Sequence, residues 1–463
     1  MAIDTPSRPA AGPAPASTIA AKPSGARIPD RRTALARAVV AIIARTLPDE
    51  HRLTIELDDA EPGNEIDLGD TAVRARVRIR GPDAVARLIF PPSPDAFAEA
   101  YLRGDIEIDG DVGEAVDAGQ SLDLRRLRPT DLRRLIRFGF ELRRGTPSPP
   151  PLTRVARLTG RRHSRARDLA AIRFHYDVGE DFYRLWLDRR LTYSCAYFDT
   201  VVDPAAHLDA AQEAKLELIC RKLRLGPGQR LLDIGCGWGS LIIYAAERFG
   251  VDCVGVTLSD RQASEANSRA EEAGLGARVR AEVRDYRDLG SLGSFDAVAS
   301  VGMFEHVGAA NLTTYFGAAM GALAPGGLFL NHGIATAERS RPRGGDLRRN
   351  SRFGDRYVFP DGELVPVERA IAVARDGVGF DVIDVQLLRP HYALTLRAWV
   401  ERLERSWDAA VAAAGSEVAR TWRLYMSGAR VRFERGELDV AQLLLARPLA
   451  DASRPDRPLR PWW

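Results

Sequence analysis

Polar and apolar residues alternate from Arg52 onward. Leu53, Ile55 and Leu57, then Val73, Ala75, Val77 and Ile79, share one face, with charged residues on the other. A period of two marks half-buried strands, and antiparallel pairing is predicted here. The run AFAEAYLRGDIEIDGD then predicts a short helix, a Gly-Asp turn and another alternating strand, so residues 31–122 form a small α+β domain without a catalytic constellation. In PTDLRRLIRFGFELRRGTPSPPP the period changes. Leu132, Leu135, Ile136, Phe140 and Leu142 recur near helical spacing among Arg133, Arg134, Arg137, Arg143 and Arg144. Two readings fit this stretch, residues 123–163. One is a connecting helix packed on its neighbours ahead of a Pro-rich linker; the other is a basic face for anionic phospholipid. From Ser164 to Arg447 strand and helix patterns alternate, which predicts a doubly wound parallel sheet. Residues 1–30, rich in Pro, Ala and Ser, are predicted to be a disordered tail, and residues 448–463 a frayed one.

Composition limits the classes. The 463 residues, 45% hydrophobic, exceed one ordinary core and fit two units. Cys195, Cys220, Cys236 and Cys253 lie far apart with no C-x-x-C pair. That spacing argues against a disulfide framework or a metal site and suits a reducing cytoplasm. No apolar run reaches the roughly 18 to 20 residues that span a bilayer, and the N-terminus lacks the apolar stretch of a signal peptide, so the chain is expected to be soluble or peripheral. A net charge of +3 is too small to imply nucleic acid as a partner.

The chemistry-bearing anchor is RLLDIGCGWGSLIIYAAERFG. An apolar strand delivers Asp233; Gly235, Gly237 and Gly239 then allow a tight turn that a ligand approaches closely, and a helix follows. A dinucleotide fold would close its second strand on an acidic residue to hold a ribose. Here that strand, VDCVGVTLSDRQ, closes on Thr257, Leu258 and Ser259, with Gln262 one helical step on. The third strand ends at Asp285 and Tyr286, placed to accept from an exocyclic amine and to flank an adenine ring. A fourth ends at Glu305 and His306, and LAPGGLFLNHGI supplies a Pro-Gly-Gly turn before a fifth. This is the order of an S-adenosylmethionine methyltransferase. No Asp/Asn-Pro-Pro-aromatic motif follows the fourth strand, which disfavours a nucleic-acid target.

The stretches FHYDVGEDFYRLWLD, LTYSCAYF, LLDIGCGWGSL, VTLSDRQ, SVGMFEHVG, NHGI and RPHYALTLRAW resemble, in order, the motifs of the cyclopropane-fatty-acyl-phospholipid synthase family, which includes the mycolic acid cyclopropane synthases. The resemblance runs from Arg173 to Arg447 and implies a Rossmann-like class I methyltransferase domain with a helical lid. It implies that Tyr193, Ser194, Asp233, Gly235, Gly237, Thr257, Leu258, Gln262, Asp285 and Tyr286 surround S-adenosylmethionine. It further implies a bicarbonate ion held by Cys195, Glu305, His332, Ile334 and Tyr392, with Cys195 a wall residue; nothing in the sequence supplies the adjacent base a nucleophilic cysteine needs. AYLRGDIEIDGD resembles the extra domain of the phospholipid-acting members, which implies unsaturated phospholipid acyl chains as substrate and peripheral attachment to the inner face of the membrane.

The chemistry matches such a site. A cis alkene attacking a sulfonium methyl leaves a carbocation that water would quench, aromatic faces would steady, and a general base would resolve. Phe174, Tyr176, Tyr197, Phe198, Phe304 and Tyr392 are aromatic candidates, each equally able to be core. His306 and His391 are expected to be structural, and His175 with Asp177 to fix a lid helix. Two departures stand out: Gly333 where many relatives carry Thr, predicted to open room beside the bicarbonate, and Asp361 and Val365 in VFPDGELVPV. The insert RSRPRGGDLRRNSRFGDRY is either a phosphate-binding segment or a solvated loop. Helical text beyond Arg397 is expected to cap the acyl pocket or form a homodimer contact. Three functions fit: a lipid cyclopropane synthase, a methyltransferase giving methylene or methyl branches on acyl chains, or a lipid-binding protein without turnover.

Overall fold

The computed structural model describes residues 30–48, 50–58, 65–68, 72–90, 93, 95–337, 352–449 and 451. Residues 1–29, all but three of residues 448–463 and most of the arginine-rich insert lie outside the described residues. Two sheets organise the chain. The first has the order β2-β1-β3-β4, from β1 (Leu53–Leu57), β2 (Ile66–Leu68), β3 (Ala75–Ile79) and β4 (Ile106–Gly110). Here the antiparallel expectation fails for the central pair: β1 and β3 run parallel, Leu53 opposite Ala75. The cause is β2, three residues too short to show a period, which pairs antiparallel on the outer side of β1 and turns the chain twice before β3. Val73 falls before β3 and is 48% exposed.

Three helices, Arg31–Ala44, Gly81–Ile89 and Pro129–Arg143, pack against one another beside this sheet. Asp30 caps the first by accepting from the Thr33 amide at 2.9 Å, one of the four donors a helix start leaves open. The Pro129–Arg143 helix buries Gly139 and Leu142, and Phe90 fills the space a side chain at 139 would take. Yet Leu132, Ile136 and Phe140 remain 50%, 46% and 54% exposed. Three of the five apolar positions that suggest a packed connector therefore face outward.

The second sheet has the order β10-β11-β9-β8-β5-β6-β7, from β5 (Arg230–Ile234), β6 (Asp252–Thr257), β7 (Val279–Val283), β8 (Phe295–Val301), β9 (Leu323–Thr336), β10 (Asp381–Leu387) and β11 (Leu438–Ala446). All run the same way except β11, which is antiparallel to β9 and β10. Helices cover both faces, which is why β5 and β11 carry near-continuous apolar text. The strand order reverses at β5, and in open α/β sheets that switch point opens a crevice at the carboxyl ends. Helices Arg389–Arg405, Trp407–Ala414 and Ser416–Glu434 roof that end and reach the small domain. Arg420 meets Glu107 through one nitrogen at 2.7 Å from each carboxylate oxygen, and Arg430 meets Asp111 at 2.5 Å.

Candidate active site

A cavity opens at the switch point. Its floor is the turn after β5. Gly235 (φ 86°) and Gly239 (φ 84°) occupy the left-handed region that a side chain resists, and an added Cβ would press on Met303 and Ala266 respectively. Gly237 (φ 54°) has nothing within 4 Å of its missing Cβ, so the backbone there lies open to a ligand. One wall is the end of β6, where the Thr257 hydroxyl lies 2.7 Å from Gln262 Oε1 and Ser259 caps the next helix. Opposite stand Asp285 and Tyr286. The lid is the helix Arg165–Tyr176, which brings Ile172 and Tyr176 to the cavity. All ten residues predicted to surround the cofactor line this cavity: Tyr193, Ser194, Asp233, Gly235, Gly237, Thr257, Leu258, Gln262, Asp285 and Tyr286.

Asp233 Oδ1, Gln262 Nε2 and the Tyr286 hydroxyl are buried here without partners. Interiors rarely leave such atoms unmatched, and together they suit a ligand carrying both donors and acceptors. Burial raises the Asp233 carboxyl to about 7, with Lys215 the one charge opposing the rise. The cavity also contains residues that sequence reading missed: Asp168, Lys215, Trp238 and Arg287. Nothing in the sequence sets Lys215 apart, because the Pro204–Lys222 helix also carries Asp209, Glu213, Glu217, Arg221 and Lys222.

The other five predicted residues gather deeper, where β9, the turn after β8 and the roof converge. Glu305 is 2% exposed, and its Oε1 accepts from the Ile334 amide at 2.6 Å while Oε2 has no partner. Burial lifts its carboxyl to about 7. His332 is buried, with Nδ1 3.2 Å from Gln442 Nε2 across the β9–β11 pair, and burial holds it neutral by lowering its pKa well below the usual value. Gln442 donating to Nδ1 leaves the ring proton on Nε2. Burial pushes the Cys195 thiol up, and the carbonyls of Ala196 and Leu388 are its nearest acceptors at 3.3 and 3.9 Å. A protonated thiol without an adjacent base is no nucleophile. Tyr392 lies within electrostatic reach of Cys195, Glu305 and Tyr425, the last of which the sequence reading also missed.

Between these two groups of residues runs an aromatic wall. Tyr193 stacks near His175, Tyr183, Trp186, Trp399 and Trp422 at centroid distances of 5.2–5.8 Å. His175 carries the lid contact: its Nδ1 lies 2.6 Å from the Val358 carbonyl, and the Tyr183 hydroxyl donates to the His175 carbonyl at 2.9 Å. His391 accepts from the Phe198 amide at 3.0 Å and stacks on Tyr197. His306 stacks on Phe359 at the cavity rim. The Gly333 expectation is overturned. A Cβ there would sit 2.9 Å from the Phe304 Cβ; the space that a threonine would occupy is already filled by a ring. Asp361, at φ 61°, pairs with Arg167 through two bonds and anchors the segment over the lid.

The family model for mycolic acid cyclopropane synthetase matches residues 163–443. The chain belongs to this family. It is 40% identical over 391 residues to a probable fatty acid methyltransferase of Pseudomonas putida, covering 84% of this chain and 91% of that protein. It is 33% identical over 384 residues to the cyclopropane-fatty-acyl-phospholipid synthase of Escherichia coli K12, covering 82% and 90%. Among solved structures, mycolic acid cyclopropane synthase CmaA1 complexed with SAH and CTAB superposes with a TM-score of 0.56 at 33% identity, over 60% of this chain and 98% of that one. As a member of the cyclopropane synthase family, the protein is an S-adenosylmethionine-dependent methyltransferase with a class I fold. Among the described residues, no helix is long and apolar enough to cross a membrane.

Proposed function

We propose that the protein methylates the cis double bond of unsaturated phospholipid acyl chains and closes a cyclopropane ring there. The observation that carries this reading is Glu305: a buried carboxylate with one unpartnered oxygen, set beside an aromatic wall and next to the cavity lined by the ten cofactor candidates. When bound, S-adenosylmethionine supplies an electrophilic methyl, and attack by the alkene leaves a carbocation on the acyl chain. The protein's own part is to exclude water and to face that charge with ring quadrupoles, for which Tyr176, Tyr193 and Tyr392 are placed. Burial keeps these phenols protonated, so they cannot capture the cation as phenolates.

A bicarbonate ion bound beside Glu305, His332, Ile334, Tyr392 and Cys195 would supply the general base that this reading needs for the proton lost as the ring closes. Neutral His332 offers Nε2–H, Tyr392 a hydroxyl, and Cys195 a wall. The Ile334 amide is already engaged by Glu305, so an anion arriving here shares that amide or displaces the carboxylate. A second negative charge would raise the Glu305 pKa further, making Glu305 a donor to the ion.

Phospholipid substrate and peripheral attachment draw support from the Escherichia coli relative, a phospholipid synthase by name, whose match covers 82% of this chain and so extends beyond residues 163–443. The Pro129–Arg143 helix adds a further support, presenting Leu132, Ile136 and Phe140 to solvent alongside exposed Arg133, Arg134 and Arg137. A second reading, methylene- or methyl-branched product, is favoured by the name of the Pseudomonas relative and by Phe304 filling the space beside Gly333. Proton NMR of lipid extracted after incubation with S-adenosylmethionine and cis-monounsaturated vesicles separates the two. Upfield ring-methylene signals establish the first; vinylic exomethylene or branch-methyl signals replace it with the second. Unchanged lipid with cofactor binding intact defeats both.

A further inference from the structure

One buried charge has no part in that chemistry. Lys215 lies in the Pro204–Lys222 helix, 1% exposed, and lines the cofactor cavity. Its Nζ donates to Ser194 Oγ at 2.7 Å, and among the described residues it forms no ion pair. The two acidic groups nearest in effect are Asp188 and Asp233. Asp188 is committed elsewhere, accepting from the Thr192 and Arg190 amides at 2.7 and 3.0 Å. Asp233 keeps Oδ1 unpartnered. A buried ammonium bonded to one neutral hydroxyl is costly unless an anion arrives to meet it. Burial lowers its pKa to about 8, the direction expected of a cation awaiting a counter-charge.

One end of the cavity therefore presents a cation and a carboxylate that are not paired with each other, the complement of an α-amino-acid zwitterion. We propose that Lys215 binds the carboxylate of the methionine portion of S-adenosylmethionine, while Asp233 accepts from its α-ammonium. Ser194 accepts from Lys215, which leaves its own hydroxyl proton free for the same carboxylate. This assignment rests on the cavity being the cofactor site and divides its recognition into a nucleoside part and an amino-acid part.

The test is calorimetric binding of three probes to the full chain. S-adenosylhomocysteine carries both charges, S-adenosyl-3-thiopropylamine lacks the carboxylate, and 5′-methylthioadenosine lacks both. Wild type should favour S-adenosylhomocysteine over the thiopropylamine by about 10-fold or more, the worth of a charge-assisted bond. Lys215→Met, and Lys215→Gln as a second variant, should lose about 10- to 100-fold for S-adenosylhomocysteine and under about threefold for the other two probes. Asp233→Asn should weaken both amine-bearing probes and spare methylthioadenosine. Equal loss of all three probes in both lysine variants would mean that Lys215 only supports the pocket and would overturn the proposal. So would a wild type indifferent to the carboxylate, whether or not the variants fold. If wild type binds none of the three, the cavity is not the cofactor site, a different failure.

Discussion

Replacing Glu305 with Gln should stabilise the protein at alkaline pH while removing its activity. The carboxyl is 2% exposed, keeps one oxygen unpartnered, and is raised by burial from 4.5 to about 7. The fold therefore favours its protonated form. The penalty for ionising it is absent below pH 4.5, grows between 4.5 and 7, and is complete above 7, where it reaches about 3 kcal/mol. Gln keeps an acceptor for the Ile334 amide and carries no charge, but it leaves an amide nitrogen where Oε2 has no partner, which returns roughly 1–2 kcal/mol of that gain. Glu305→Gln should thus fall below wild type by roughly 1–2 kcal/mol near pH 4.5, where only the unpartnered amide counts, and exceed it by roughly 1–2 kcal/mol at pH 8, with turnover down at least about 100-fold. Urea unfolding of both proteins from pH 4.5 to 8.5 reads the difference. Asp233, also raised to about 7, titrates in both and cancels. Parallel stability curves, or a variant weaker than wild type at pH 8, would refute the account of Glu305 as a strained, buried carboxylate.

Further expectations follow from particular contacts. Gly333→Thr should cost about 1–3 kcal/mol by forcing a side chain against Phe304, and pairing it with Phe304→Ala should recover most of that loss in thermal unfolding; additive effects would show that the two positions do not share space. Leu132→Ser, Ile136→Ser and Phe140→Ser together should leave the melting temperature unchanged while reducing sedimentation with vesicles containing anionic phospholipid, and reversing Arg133, Arg134 and Arg137 to Glu should do the same at low salt. Unaltered vesicle binding with a newly monomeric protein would identify the face as a contact between two copies instead. His175→Ala removes the 2.6 Å contact to the Val358 carbonyl and should weaken S-adenosylhomocysteine binding about tenfold; a normal binding constant removes the lid role.

What the sequence could and could not show follows from the range of the forces involved. The turn of Gly235, Gly237 and Gly239 is legible because backbone geometry at a ligand site needs glycine at fixed spacing, and β5 because Leu231, Leu232 and Ile234 write a strand covered on both faces, interrupted only by the Asp233 it delivers to the cavity. Short-range periodicity fails where an element is too brief, as with the three-residue β2, and so the parallel pairing of β1 with β3 went unseen. It also fails where apolar spacing is ambiguous about direction: Leu132, Ile136 and Phe140 read as packing residues because periodicity reports a face and says nothing about what the face meets. Gly333 shows the same limit in three dimensions. A missing side chain implies space only if no neighbour takes it, and Phe304, 29 positions away, does. Lys215 is the converse case, a charge whose meaning depends on what it lacks. In a helix that also carries Asp209, Glu213, Glu217, Arg221 and Lys222 it reads as one more charged position; only folding shows that it is buried against the cavity with a neutral hydroxyl as its hydrogen-bond partner and, among the described residues, no ion pair, and a buried charge so placed states the charge of the ligand the cavity takes.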